Sequence, residues 1–262
     1  ISAERCIALV RSAIGVPDIA VEIEDVAEWK AVAECADSYR AGRVFVAGDA
    51  AHVVPPVGGF GLNMGIADAH NLAWKLATGG DALLDTYEAE RRAVALFTMQ
   101  QSMIRLHHRD LHWDNDPSRA ADRAAVGMAS IMIPAIGYRY ESRAVVDPEP
   151  LSDMENLTLN GAPGSRLPHL WLPDGRSTVD LVDGCTLITG TAGDHWLGAA
   201  RELGITAHAV EGWAEAATIK EDGAVLVRPD GFVGWRVVTT RDSVATSKQQ
   251  LQDAHDQILC RR

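Results

Sequence analysis

Asp49 and the glycines and prolines that follow it are the residues of this chain whose types and spacing could do chemistry. Asp49 carries a carboxylate that accepts hydrogen bonds from sugar or polyol hydroxyls but repels a phosphate placed against it. Pro55, Pro56, Gly58, Gly59 and Gly61 form a turn-rich run that admits close backbone approach and positive φ. A helix that begins there presents free N–H groups and the positive end of its dipole, which favour an anionic or carbonyl-rich ligand. No Lys-Ser or Lys-Thr follows Gly61, so the loop is not of the nucleoside-triphosphate type. A tight strand-to-helix connection, with Asp49 capping local backbone, would use the same residues.

Two elements must position this loop. Val44, Phe45, Val46 and Ala47, bounded by Gly48, predict a short buried strand with Asp49 at its carboxyl end, where open α/β sheets place ligands. Downstream, Leu62, Ile66, Ala69, Ala73 and Leu76 recur at alternating steps of four and three and predict a helix buried on that stripe.

With these residues in view, the stretch resembles the second flavin motif of class A flavoprotein aromatic hydroxylases, the single-component FAD monooxygenases. The pattern is carried by Gly48, Asp49, Ala50, Ala51, His52, Pro55, Pro56, Gly58, Gly61 and Asn63. The resemblance implies that Asp49 binds the FAD ribitol and that the amides of Leu62 and Asn63 meet the pyrimidine edge of the flavin. It implies a cofactor site made of Gly48, Asp49, Pro56, Gly58, Gly59, Gly61, Leu62 and Asn63. Pro55, Pro56 and Gly58 would form one wall of the substrate pocket. NADH or NADPH would be the co-substrate, and O2 would supply the oxygen transferred to an electron-rich aromatic ring. The family opens with a GxGxxG loop at its N-terminus, and none precedes Arg43. The expectation is therefore the C-terminal part of such an enzyme, lacking the N-terminal half and inactive alone.

Composition sets the bounds. At 262 residues, with 47% hydrophobic and 23% charged residues, the chain has the make-up of a soluble globular protein of one or two domains. A net charge of −12 argues against nucleic acid or an anionic membrane as the main partner. No apolar run approaches the ~20 residues that span a bilayer, and no secretory signal is visible, so a cytoplasmic location is expected. Cys6, Cys35, Cys185 and Cys260 form no CxxC pair and read as free thiols. His108 and His112 share a helical face, but no third ligand converges on them, so His107, His108 and His112 read as a solvated helix end and no metal is expected.

Along the chain, Ile7, Val10 and Ile14 predict a helix ended by Gly15 and Pro17, and Ile19, Val21 and Ile23 predict a half-buried strand with Trp29 just beyond. Asp81 to Trp113 reads as one long helix with Leu83, Tyr87, Val94, Phe97 and Ile104 inward, interrupted by Glu90 and Gln101. The Tyr87–Arg92 run, also similar to the family, reads as a solvated charged face. Asp114–Ser118 breaks the pattern, another helix runs through Met132, and a polar linker near 147–150 divides the chain into domains 1–148 and 149–262.

The second domain reads as strand 185–189, helix 194–203, strand 205–210, a hairpin of strands 224–228 and 232–238 joined through Pro229, Asp230 and Gly231, and a closing helix with Leu251, His255 and Ile258 on one face. The fold class expected is α/β: the C-terminal part of an FAD-binding monooxygenase domain followed by a small thioredoxin-like domain. That domain has no cysteine in the turn 189–194, which excludes thioredoxin-type redox chemistry there. The segments around Pro163–His169 and Leu226–Gly231 resemble the C-terminal domain of phenol and polyketide hydroxylases. Trp171, Trp196, Trp213 and Trp235 read as core or interface anchors. His52 reads as structural rather than as a base. The function expected is hydroxylation of a phenolic or polyketide aromatic substrate, with a homodimer as the assembly to test. The alternatives are a halogenase or reductase on the same scaffold, and a non-catalytic interaction module that does not bind FAD alone.

Overall fold

The computed structural model describes residues 1–27, 30–113, 116–239 and 244–261; Trp29 and Asp114 lie outside them. The chain forms two compact units, Ile1–Ala31 and Val32–Arg262. In the first, helix α1 (Ala3–Ile14) is capped at its start by the Ser2 hydroxyl, which accepts from the Arg5 amide, and at its end by Gly15 at φ 76°. Arg11 Nε donates to the Ile19 carbonyl at 3.0 Å and turns the chain back toward α1. Residues 19–24 form no strand. Their alternation supplies one apolar side, but a strand also needs a pairing neighbour, and none stands beside them among the described residues.

The second unit begins with two short antiparallel ladders. Strands β1 (Glu34–Cys35), β2 (Arg40–Ala41), β3 (Val44–Phe45) and β4 (His52–Val53) pair as β1 with β4 and β2 with β3. Next come α2 (Phe60–Thr78) and α3 (Asp81–His107), joined through Gly79 and Gly80, both at positive φ. The long helix expected to reach Trp113 breaks at His108, and a single turn, α4 (Arg109–His112), follows. Helix α5 (Ala120–Ala125) stops well short of Met132. Gly127, at φ 71°, reverses the chain, and the Met128 amide bonds back to the Arg123 carbonyl at 2.9 Å.

The C-terminal sheet follows the expectation closely. Strand β5 (Thr186–Thr189), helix α6 (Asp194–Leu203) and strand β6 (Thr206–Ala209) form a parallel βαβ unit. After one turn, α7 (Trp213–Ala216), come strands β7 (Ala224–Val227) and β8 (Val233–Val237) and then helix α8 (Val244–Ile258). The strand order is β6-β5-β7-β8, with β7 antiparallel to both neighbours. This order is compatible with a thioredoxin-like fold. Every residue of β5 and β7 is buried, because both sheet faces are covered. Leu187 and Leu226 point to a cluster with Trp196, Leu251 and Ile258. Ile188 and Val225 point the other way, to Trp213 and Leu181. Trp74 of α2 and Leu83 of α3 belong to the first cluster, so these helices and the sheet share one core. Of the four tryptophans expected as anchors, Trp196 and Trp213 are fully buried and Trp235 is half-buried. Trp171 is 75% exposed, because it sits on an irregular bridge with Ser177 rather than on a sheet face.

Candidate functional site

The loop is built on a turn rather than on a strand end. Only Val44 and Phe45 of the expected buried strand are in a ladder, and Val44 is 66% exposed. Among the described residues β2 is the only strand that pairs with β3, so its other edge is without a ladder partner. The chain then turns at Gly48 (φ 59°) into a single 3-10 turn, Gly48–Ala50. A Cβ on Gly65 would lie 3.3 Å from the Gly48 Cα, so turn and helix α2 meet backbone to backbone. Asp49 sits on the outside of this turn, exposed, and among the described residues no cation pairs with it.

Beneath the turn lies Asp68, fully buried on α2. Its Oδ2 accepts from the Gly48 amide at 3.0 Å and bonds His52 Nε2 at 2.6 Å, while Oδ1 accepts from Arg91 Nε at 2.6 Å. Burial alone would raise the Asp68 pKa, but the His52 bond and the Arg91 charge hold it below the usual carboxylate range. His52, 3% exposed, is thus a strut behind the turn.

The proline-glycine segment is anchored from below and open above. Pro55 is buried and Pro56 exposed, and the Gly59 amide donates to the Pro56 carbonyl at 3.0 Å. Gly58 has φ 98°, and a Cβ there would stand 2.3 Å from the Phe60 ring, so glycine is required. Phe60 is buried beneath the Arg105 guanidinium, 5.6 Å from its ring centre, and Ser102 of α3 donates to the Val57 carbonyl at 3.3 Å. Gly59, at φ 68°, opens α2 with no side-chain cap on the first-turn amides. Gly61 follows in the first turn, Asn63 Nδ2 donates back to the Gly59 carbonyl at 3.2 Å, and Leu62 is 77% exposed. Of the residues expected to hold a cofactor, Asp49, Pro56, Gly59, Leu62 and Asn63 are exposed and Gly48, Gly58 and Gly61 half-buried, which leaves the loop an open face. It combines an unpaired carboxylate on a fixed turn, a left-handed Gly-Gly step and an uncapped helix N-terminus. These features fit a ligand with hydroxyls for the carboxylate and an anionic or carbonyl-rich edge for the helix start.

Helix α2 lies with the opposite face inward from the one expected. Leu62, Ile66, Ala69, Ala73 and Leu76 are exposed, and Phe60, Met64, Asp68, Asn71, Trp74 and Lys75 are buried. The polar residues go inside because each finds a partner there. Glu90 of α3, 1% exposed, accepts from Lys75 Nζ at 2.7 Å, Asn71 Nδ2 at 2.7 Å, Ser142 Oγ at 2.6 Å and both terminal nitrogens of Arg228 at 2.6 and 2.8 Å. Asp230 completes the cluster, taking Arg228 at 2.7 Å and Asn71 at 3.0 Å. Burial would raise the Glu90 pKa, but Arg228 and Lys75 lower it well below normal. Burial pulls Lys75 down to about 8 despite Glu90. The Tyr87–Arg92 run is thus no solvated face: Glu90 and Arg91 are the centre of a buried charged seam. The spacing of Asp68, Asn71 and Lys75 on one helical face was the signal for it.

Among the described residues no three metal-ligating side chains cluster, and no helix is long and apolar enough to cross a membrane. The thiols of Cys6, Cys35, Cys185 and Cys260 are free.

Residues 1–102 match the FAD binding domain family and residues 160–261 match the aromatic-ring hydroxylase C-terminal family. The chain is 42% identical to a 4-methyl-5-nitrocatechol 5-monooxygenase of Burkholderia sp, over 98% of this chain and 51% of that protein. It is 44% identical to the tetracenomycin B2 monooxygenase-dioxygenase of Streptomyces olivaceus, over 91% of this chain and 47% of that protein. The crystal structure of a ternary complex of aklavinone-11 hydroxylase with FAD and aklavinone superposes with a TM-score of 0.82 at 33% identity, covering 99% of this chain and 51% of that one. The chain spans about half the length of the curated relatives it matches. With the Gly48–Asn63 loop, the mixed C-terminal sheet and these matches together, the chain belongs to the FAD-dependent aromatic-ring hydroxylases.

Proposed function

We propose that this chain serves FAD-dependent hydroxylation of a phenolic or polyketide aromatic ring, with NADH or NADPH as electron donor and O2 as oxidant. One oxygen atom enters the ring and the other leaves as water. FAD, when bound, supplies the redox chemistry. The chain's own residues bind and orient it. Asp49 accepts hydrogen bonds from the ribitol hydroxyls, and Gly48, Gly58, Gly59 and Gly61 let backbone approach the ring. The amides of Leu62 and Asn63, at the uncapped start of α2, stabilise negative charge on the flavin edge. Pro56 and Gly58 border the substrate pocket, where apolar surface excludes water, and the buried Pro55 backs that wall from beneath. Residues 149–262 form, in this reading, a thioredoxin-like domain without redox chemistry of its own, packed on α2 and α3 through a shared core.

The observation that carries the proposal is the exposed, unpaired Asp49 carboxylate on a turn locked by Asp68, beside a helix start with no side-chain cap. The relatives' substrates, a nitrocatechol and tetracenomycin B2, are aromatic, which supports the substrate class. The test is FAD titration of Asp49→Ala followed by flavin fluorescence. Because a hydrogen bond to a charged group contributes ~1.5–3 kcal/mol, FAD affinity should fall roughly 10- to 100-fold. Unchanged affinity in the variant would sink the assignment, and the absence of saturable binding in the wild type would favour a non-catalytic module.

A further inference from the structure

The β7–β8 hairpin tip is far in sequence from the flavin loop, yet it reaches the helix that carries it. Arg228 and Asp230 are 0% and 3% exposed, and between them they bond Glu90 of α3 and Asn71 of α2. Arg228 also lies over the Tyr140 ring, 5.2 Å from its centre, and the Tyr140 hydroxyl accepts from Arg91 at 3.0 Å. Arg91 in turn holds Asp68, which holds the Gly48 amide. A continuous chain of directional contacts therefore runs from the hairpin tip to the turn that presents Asp49.

We infer that Arg228 and Asp230 are positioning residues for the flavin loop, an inference that rests on the proposed FAD site. The reason lies in α2. Its outward stripe, with Leu62, Ile66 and Leu76, is apolar, and its inward stripe mixes Phe60, Met64 and Trp74 with Asp68, Asn71 and Lys75, so either side offers apolar area and its burial does not by itself set the rotation. Fixed-length bonds do. Asn71 and Lys75 can meet Glu90 and Asp230 in one rotational setting of the helix, and the fork of Arg228 holds both carboxylates in place. That setting determines where Asp68, two turns from the helix start, meets Gly48, and where the Leu62 and Asn63 amides face. The C-terminal sheet is then part of the scaffold of the cofactor site rather than an appendage to it.

The experiment compares amide hydrogen exchange and FAD titration in the wild type, Arg228→Lys and Asp230→Asn. Lysine keeps the charge but loses the fork, and the amide introduced by Asp230→Asn turns a donor toward Arg228 or Asn71. Exchange across 48–63 should rise on the order of tenfold in either variant, and FAD affinity should fall by a similar factor, with β5 and α6 exchange unchanged. Unchanged exchange across 48–63 in both variants would overturn the inference, as would equal loosening of β5 and α6, which marks general destabilisation. If Arg228→Lys does not fold, Asp230→Asn decides by the same readout. If the wild type takes up no FAD, the functional reading falls, while exchange at 48–63 still decides the coupling.

Discussion

At the residue scale, the loop depends on positions whose backbone or charge leaves little freedom. Gly58 is one. Any Cβ there meets the Phe60 ring and must also adopt φ near 98°, so Gly58→Ala should cost about 1–3 kcal/mol and weaken FAD binding. Urea unfolding with parallel FAD titration measures both effects. Glu90 is the other. Glu90→Ala leaves Arg228 and Lys75 buried without their shared carboxylate, and ~3–5 kcal/mol of stability should be lost in urea unfolding of the flavin-free protein. These two residues were not equally legible. Gly58 announces itself, because a Pro-Pro-x-Gly-Gly run has few structural uses. Glu90 sits in a Tyr-Glu-x-Glu-Arg-Arg run that serves equally well as a solvated face. Its main partner, Arg228, is 138 residues away, and no local pattern reports that pairing.

At the element scale, α2 shows how far periodicity goes. Counting apolar residues located the helix but assigned the wrong side to the core, because a stripe has a direction only relative to what covers it. Leucine and isoleucine face outward here, while aspartate, asparagine and lysine go inward to partners on α3 and the hairpin. A pair of substitutions checks this. Met64→Ala, at a buried position, should cost about 2–5 kcal/mol, whereas Leu76→Ala, 52% exposed, should change stability by less than about 0.5 kcal/mol. Thermal or urea unfolding of the two variants side by side would settle the orientation, and a larger loss at Leu76 would reverse it. The strand before the loop failed for a related reason. Four apolar residues promise a buried strand only if neighbours flank it, and β3 has a single two-residue partner among the described residues.

At the scale of the whole molecule, the C-terminal sheet was readable nearly strand for strand, since its turns, glycine stops and alternating faces are local features. Its attachment to α2 and α3 was not, because that depends on the shared Trp74–Leu83 core and the buried charges. Those charges give the molecule an acid limit. Glu90 and Asp68 are both held below their ordinary values, near 4.5 and 3.8, so the unfolded chain binds protons first as pH falls. Their contribution is complete above about pH 5 and is lost progressively below it. The melting temperature should therefore decline gently from pH 7 to 5, as His112, His208 and His255, whose protonation burial opposes, take up charge, and fall steeply beneath that, with a shallower acid slope in Glu90→Gln; an identical slope would place the acid limit elsewhere. The central claim, that the loop from Gly48 to Asn63 is the flavin site, is tested most directly by amide chemical-shift mapping during FAD titration. Saturable shifts centred on Gly48–Ala51 and Gly58–Asn63 are expected. Shifts centred on the C-terminal sheet, or none at all, would contradict it.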